Sequence, residues 1–212
     1  MIYLTKSKFI FIISSISTLC VLFIMKQLLP INELILDNYT KTVGIDRASE
    51  LIQKQEKWQW LEYAILPLII LIRTHITAFL LYIGSTFFNY KFTYKKCVNI
   101  SFKGEGVILF SLFCKFIWLY FNRDLLTMEY IQLFSPLSLI NLFNYNEIDQ
   151  WASYILQTIN LFELIYIFFL SYLIMKNFNV NFKKSLELVI TTYGLGLIIW
   201  IMFITFLSLN LL

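Results

Sequence analysis

Charge is scarce in this chain. Charged residues make up 14% of its 212 positions, against about 25% in a soluble globular domain. That supply is too small to clothe a water-facing surface, which excludes an ordinary soluble fold. Histidine occurs once, at His75, and cysteine three times, at Cys20, Cys97 and Cys114. With no CxxC and no second histidine, the spacing supports neither a zinc set nor a disulfide framework. All three cysteines are expected to be free thiols. Cys20 and Cys114 fall in apolar runs, where a thiol acts as a small hydrophobe, and Cys97 falls in a basic loop. The six glycines are too sparse for a phosphate-cradling loop. Gly104-Glu105-Gly106 and Gly194-Leu195-Gly196 lack nucleotide-binding spacing and read as helix starts or close-packing sites. No nucleophile triad is visible, and at a net charge of +4 no basic cluster is dense enough for nucleic acid. The expectation is a non-enzymatic protein without cofactor or nucleic-acid partner.

What the chain has is apolar length. Hydrophobic residues are 59% of the total, in runs that match the roughly 20 residues needed to cross a bilayer. In lipid every backbone group must be bonded internally, so such runs are helical. The expected fold is all-α: a polytopic membrane bundle of about five transmembrane helices, with an extramembrane amphipathic helix and a short interfacial or re-entrant segment. The division is an N-terminal anchor and polar connector over 1–59, then a four-helix membrane domain over 60–212.

Phe9 to Met25 follows Lys6 and Lys8 and resembles a signal peptide. The run ends in Lys26-Gln27-Leu28-Leu29-Pro30 without a small-x-small cleavage pattern, so an uncleaved first helix is expected. Residues 26–59 balance five acids against five bases. Asp46 is placed to cap a helix opening at Arg47-Ala48-Ser49. Glu50 precedes Lys54 by four residues, the favourable order for a helical ion pair. This stretch reads either as a connector on the interface or as a partner-binding helix carrying Arg47, Glu50 and Lys54.

The central run, Trp60 to Phe88, contains Pro67, Arg73 and His75. A lipid-facing arginine costs roughly 2.5–3.5 kcal/mol, and the surrounding Leu, Ile and Phe each return about 0.3–0.6. The segment inserts, but its arginine needs a partner. Beyond a loop at 89–103, further helices are expected at about Gly104–Phe121, Gln150–Met175 and Ser185–Leu209. Residues 130–143 are too short to cross and should lie flat or re-enter, with Pro136 at the bend.

Intramembrane ionisable groups mark functional or register-setting sites. The candidates are Arg73, His75, Lys115 and Glu163. Arg73 and Glu163 each lie thirteen residues from the outer ends of their expected helices, about 20 Å deep, and are expected to pair. His75 should face elsewhere, and Lys115 can snorkel. Lysines at 6 and 8, in 89–103 and in 176–184 place the N-terminus in the cytoplasm and the C-terminus outside, in a bacterial inner membrane. Trp60, Trp118 and Trp151 then share the outer interface, while Trp200 packs on protein.

The order of features resembles the Yip family of multi-pass membrane proteins, bacterial members included, over roughly residues 60–210. The carriers are Gly84-Ser85-Thr86-Phe87-Phe88, Phe92-Thr93-Tyr94-Lys95-Lys96, Ser135-Pro136-Leu137, and Ile159-Asn160-Leu161-Phe162-Glu163-Leu164-Ile165-Tyr166. The turn Asn179-Val180-Asn181-Phe182-Lys183-Lys184-Ser185 completes the pattern. Asn160 stands where the family has an acid, and the acid appears at Glu163. The resemblance implies a five-helix bundle with no catalytic residues. It also implies work beside partners: small GTPases in eukaryotic relatives, ABC-type exporters for some bacterial ones. The function expected is an accessory or scaffold subunit of a larger membrane assembly, such as an exporter or secretion system. The alternatives are a permease that uses the intramembrane charges and, last, an intramembrane enzyme.

Overall fold

The computed structural model describes residues 2–211, leaving out the side chains of 2–7, 125, 146 and 211. Lys6 of the N-terminal basic pair therefore lies outside the described side chains. The chain is helical throughout, with helices α1 (Ile2–Leu28), α2 (Ile31–Val43), α3 (Ile45–Phe87), α4 (Tyr94–Phe121), α5 (Met128–Leu133), α6 (Gln150–Thr158), α7 (Leu161–Phe178), α8 (Phe182–Val189) and α9 (Leu195–Leu211). A π-helical turn, Ile190–Gly194, joins α8 to α9. Five segments are long and apolar enough to cross a membrane: Lys8–Leu28, Ile45–Phe87, Tyr94–Phe121, Leu161–Phe178 and Phe182–Asn210. Among the described residues there is no strand, only an isolated bridge between Ser138 and Asn160.

One end of the bundle is closed by short turns at 88–93 and 179–181, the turn face. The other carries the α2–α3 hairpin and the 122–149 segment, the cap face. At the turn face Phe92 stacks on Phe178 with ring centroids 3.6 Å apart, and Lys96 sits 5.1 Å over the Phe178 ring. Ala78, Leu81, Ile100, Leu170, Ile174 and Leu188 form the core just beneath. A second cluster, Met25, Leu29, Leu119, Leu126 and Phe134, ties α1, α4 and α5 together at the cap face.

Several helix boundaries depart from expectation. The third span starts at Tyr94, not near Gly104. Residues 94–103 hold no Gly or Pro, so nothing stops a helix begun after extended Thr93 (φ −103°, ψ 135°). Cys97 is accordingly not in a loop but on α4, and it is 1% exposed. All three cysteines are free. Asp46 does not cap α3; Gly44, at φ 84°, occupies that place without a side-chain hydrogen bond. From Ile45 onward Ala, Leu, Glu, Gln and Lys favour helix. The polar connector and the apolar span therefore run as one 43-residue helix, straight through Pro67. Position 59/60 lies inside it.

The fourth span is two pieces instead of one. Asn160 breaks it, accepting a 2.8 Å bond from the Glu163 N–H and donating to the carbonyls of Gln157 and Thr158. The break is pinned by Leu139 N–H to Ile159 O and Leu161 N–H to Leu137 O, both 3.0 Å. Unwound backbone within a membrane protein's helical bundle is tolerated only where protein satisfies it, and the 137–139 turn does so. That turn follows Pro136, with Leu137 at φ 52°. Residues 130–143 make no long helix.

Candidate functional site

A polar cluster sits inside the bundle at the cap-face margin of the larger core. It starts from Arg73 on α3. Helices α3 and α4 are antiparallel about the 88–93 turn, so residues equally far from that turn meet. Arg73 lies fourteen residues before Phe87 and Glu105 eleven after Tyr94, about 21 and 16 Å from the turn face at 1.5 Å per residue. The guanidinium makes a forked contact with the Glu105 carboxylate: Nε donates to Oε1 at 3.2 Å and the second nitrogen to Oε2. Thr74 Oγ1 adds a 3.4 Å bond to the same carboxylate. Glu105 is 2% exposed, whereas the Arg73 side chain retains 42%. The fork suits a planar carboxylate, and losing either partner strands the other charge.

This corrects the expected Arg73–Glu163 pair. With 89–103 expected as a loop and the next helix at about Gly104, Glu105 sits at a helix start on the sequence alone. Residues 94–103 are helical and carry Glu105 about 16 Å inward. Glu163, expected thirteen residues into its helix, opens α7 instead, in its first turn. It accepts a 2.6 Å hydrogen bond from the Tyr193 hydroxyl. Among the described residues no basic group lies within 4.0 Å of it.

Tyr166 joins the two halves. Its ring is 1% exposed and 5.1 Å from that of Tyr193. It sits among Thr77, Arg73, Glu105 and Glu163. Gly104 makes the room: a Cβ there would lie 2.7 Å from the Tyr166 ring. Gly84 plays the same part against the π turn, where a Cβ would meet Thr192 Cγ2 at 2.0 Å. Gly196 faces Leu80 at 2.6 Å, while Gly106 has open space. The close-packing reading of the glycine pairs thus holds for Gly104 and Gly196.

The other candidates lie apart. His75 turns away from the pair, its Nδ1 2.9 Å from the Leu71 carbonyl and its ring beside Phe102 and Tyr94. Lys115 is six residues from the end of α4, about 9 Å, within snorkelling range of the cap face. Arg47, Glu50 and Lys54 are exposed on the protruding part of α3, with Lys54 Nζ 2.8 Å from Glu50 as expected. Among the tryptophans, Trp200 is half exposed, yet its indole donates to the Tyr154 hydroxyl at 2.7 Å. Glu105, Tyr166, Tyr193, Thr74 and Thr77 were not anticipated. Tyr166 had a readable signal, since it follows Glu163 by three residues on one helix face. Among the described residues no group of three His, Cys, Asp or Glu side chains could hold a metal ion.

No protein-family model matches the chain, and no curated protein or solved structure matches it. What the fold defines is a class: an all-helical protein whose five long apolar helices suit a multi-pass membrane protein.

Proposed function

We propose that the chain is a non-enzymatic accessory or scaffold subunit of a larger membrane assembly, lying in the bilayer with its cap face outward. The α2–α3 hairpin carries this reading. The 43 residues of α3 extend about 65 Å, roughly twice the hydrocarbon thickness of about 30 Å. The surplus has α2 packed on it, and the start of α2 also meets α5. Ala48 is sealed at 0% exposure between them, while Arg47, Glu50 and Lys54 point outward. A rigid, charged hairpin on a continuous membrane helix is suited to hold a partner at a fixed height. The interlocked Arg73–Glu105 pair supports a rigid bundle. The Yip-like pattern over 60–210 is in keeping with this role, and its exporter-associated members suggest the kind of assembly.

The test is purification of the tagged full-length chain from native membranes in mild detergent. A partner should remain bound at fixed stoichiometry, and Arg47→Glu with Lys54→Glu should release it while the chain stays folded. A monodisperse lone chain that carries solute into proteoliposomes would favour the permease reading. That second reading rests on Glu163, a carboxylate inside the bundle with no basic group within 4.0 Å among the described residues.

A further inference from the structure

We propose that Glu163 is a proton-binding site, whose occupancy is reported to the π turn through Tyr193. The inference is independent of the scaffold reading. Its first ground is the geometry of the helix start. Asn160 at the N-cap and Glu163 three residues on have capping-box spacing, in which the glutamate reaches back to the cap N–H. Only half of that box forms. Asn160 Oδ1 takes the Glu163 N–H at 2.8 Å, but the Glu163 carboxylate turns away and accepts from Tyr193 Oη at 2.6 Å. A group free to serve its own helix serves another element instead.

The second ground is the contrast between the two glutamates of the cluster. Glu105 is locked in the fork with Arg73 and is charge-compensated. Glu163 faces Tyr193 from the π turn, Tyr166 on its own helix, and Arg73 from α3 beyond ion-pair distance. Three influences favour its ionised form: the Tyr193 donor, the Arg73 charge and the positive end of α7. The low-dielectric surroundings favour the neutral acid. A carboxyl group held between such opposing influences is built to change protonation.

The third ground is readout. The turn carrying Ser135, Ser138 and Asn141, hydrogen-bonded among themselves, is held against the start of α7 by the backbone bonds Leu139 N–H to Ile159 O and Leu161 N–H to Leu137 O, which fixes the first turn that carries Glu163. On the other side, Tyr193 belongs to the π turn, a geometry that frequently marks functional sites. Protonating Glu163 weakens its pull on the Tyr193 hydroxyl, and the strain falls on that turn.

Dicyclohexylcarbodiimide, an apolar reagent that enters lipid and consumes protonated carboxyls, tests this on the purified full-length protein in lipid nanodiscs. The carboxyl proton moves to a carbodiimide nitrogen as the carboxyl oxygen adds to the central carbon. An oxygen-to-nitrogen acyl shift then leaves a stable N-acylurea, with no leaving group. The expected result is one adduct, mapped by peptide mass to Glu163 and absent at Glu105. Its rate should fall as the buffer is made more alkaline. Tyr193→Phe should label about tenfold faster, the loss of one hydrogen bond to a charged acceptor. Infrared pH-difference spectra should show a protonated carboxyl band that Glu163→Gln abolishes. No adduct at Glu163 in the native protein, an adduct whose rate ignores pH, or a carboxyl band that survives Glu163→Gln would each overturn the proposal. The wild-type labelling and its pH profile decide the matter even if a variant fails to fold.

Discussion

Breaking the Arg73–Glu105 pair from one side should harm the protein more than removing it whole. In Arg73→Met, Glu105 keeps only the long Thr74 bond at 2% exposure. Breaking a buried pair in this way costs about 3–5 kcal/mol. In Glu105→Leu the guanidinium is stranded about 21 Å from the α3 terminus, too deep to snorkel. A lone arginine at such depth costs about 2.5–3.5 kcal/mol. The 42% exposure of Arg73 argues for the low end in both cases, near 3 kcal/mol each by those figures. The double variant Arg73→Met, Glu105→Leu leaves no orphaned charge and should sit within about 1 kcal/mol of wild type.

At about 2–4 °C per kcal/mol for a chain of this size, each single change should lower Tm by about 6–12 °C and the double by no more than about 4 °C. Thermal unfolding in one detergent at one scan rate reads all three. The same Arg73→Met combined with Glu163→Leu is the control and should show near-additive losses, because those groups are not in ion-pair contact. If the Arg73–Glu105 double loses the sum of its singles, the pair contributes no coupling and the reasoning fails.

Three further outcomes are expected. Gly104→Ala should cost about 1–3 kcal/mol by pressing on the Tyr166 ring, while Gly106→Ala, facing open space, should be neutral or stabilising by up to about 1 kcal/mol; paired denaturation curves compare them. Asn160→Ala removes a helix cap worth about 1 kcal/mol and should speed hydrogen exchange at 159–163; unchanged exchange there would count against the cap. For orientation, Lys91→Cys and Asn38→Cys, both exposed, sit at opposite faces: in intact cells an impermeant maleimide should reach the second and not the first, and the reverse pattern would invert the topology.

The number of long apolar helices was legible because lipid leaves a span little alternative to continuous helix, and hydropathy reports that directly. That residues 130–143 form no helix of membrane length was legible by length alone. Errors arose where polar residues sit inside helices. Lys95, Lys96 and Lys103 look like loop residues, yet a lysine stem lies along the bundle while its head reaches out. Reading them as loop moved Glu105 to the surface and handed Arg73 the wrong partner. The converse happened at Asn160, a single polar residue in an apolar run, which passes for a buried side chain but is a helix cap. That cap depends on the 137–139 turn, some twenty residues away, so no local pattern announces it. The continuity of α3 through Trp60 was legible in propensity but masked by the change from polar to apolar composition.

The π turn at Ile190–Gly194 has a consequence for rotational phase. A wider turn carries one residue more than an α-helix needs for the same advance, and each residue is worth about 100° about the axis. The faces that α8 offers to α7 and α9 offers to α6 are therefore not one continuous stripe in the sequence; the second is indexed from a shifted origin. Deleting Thr191, whose hydroxyl bonds only its own helix, would let the turn anneal into plain helix while α9 keeps its face, with Trp200 still on Tyr154. Deleting Leu197 from the plain helix beyond it would instead turn the rest of α9 by about 100°, carrying Trp200 off Tyr154 and presenting a different wall of the protein to the bilayer.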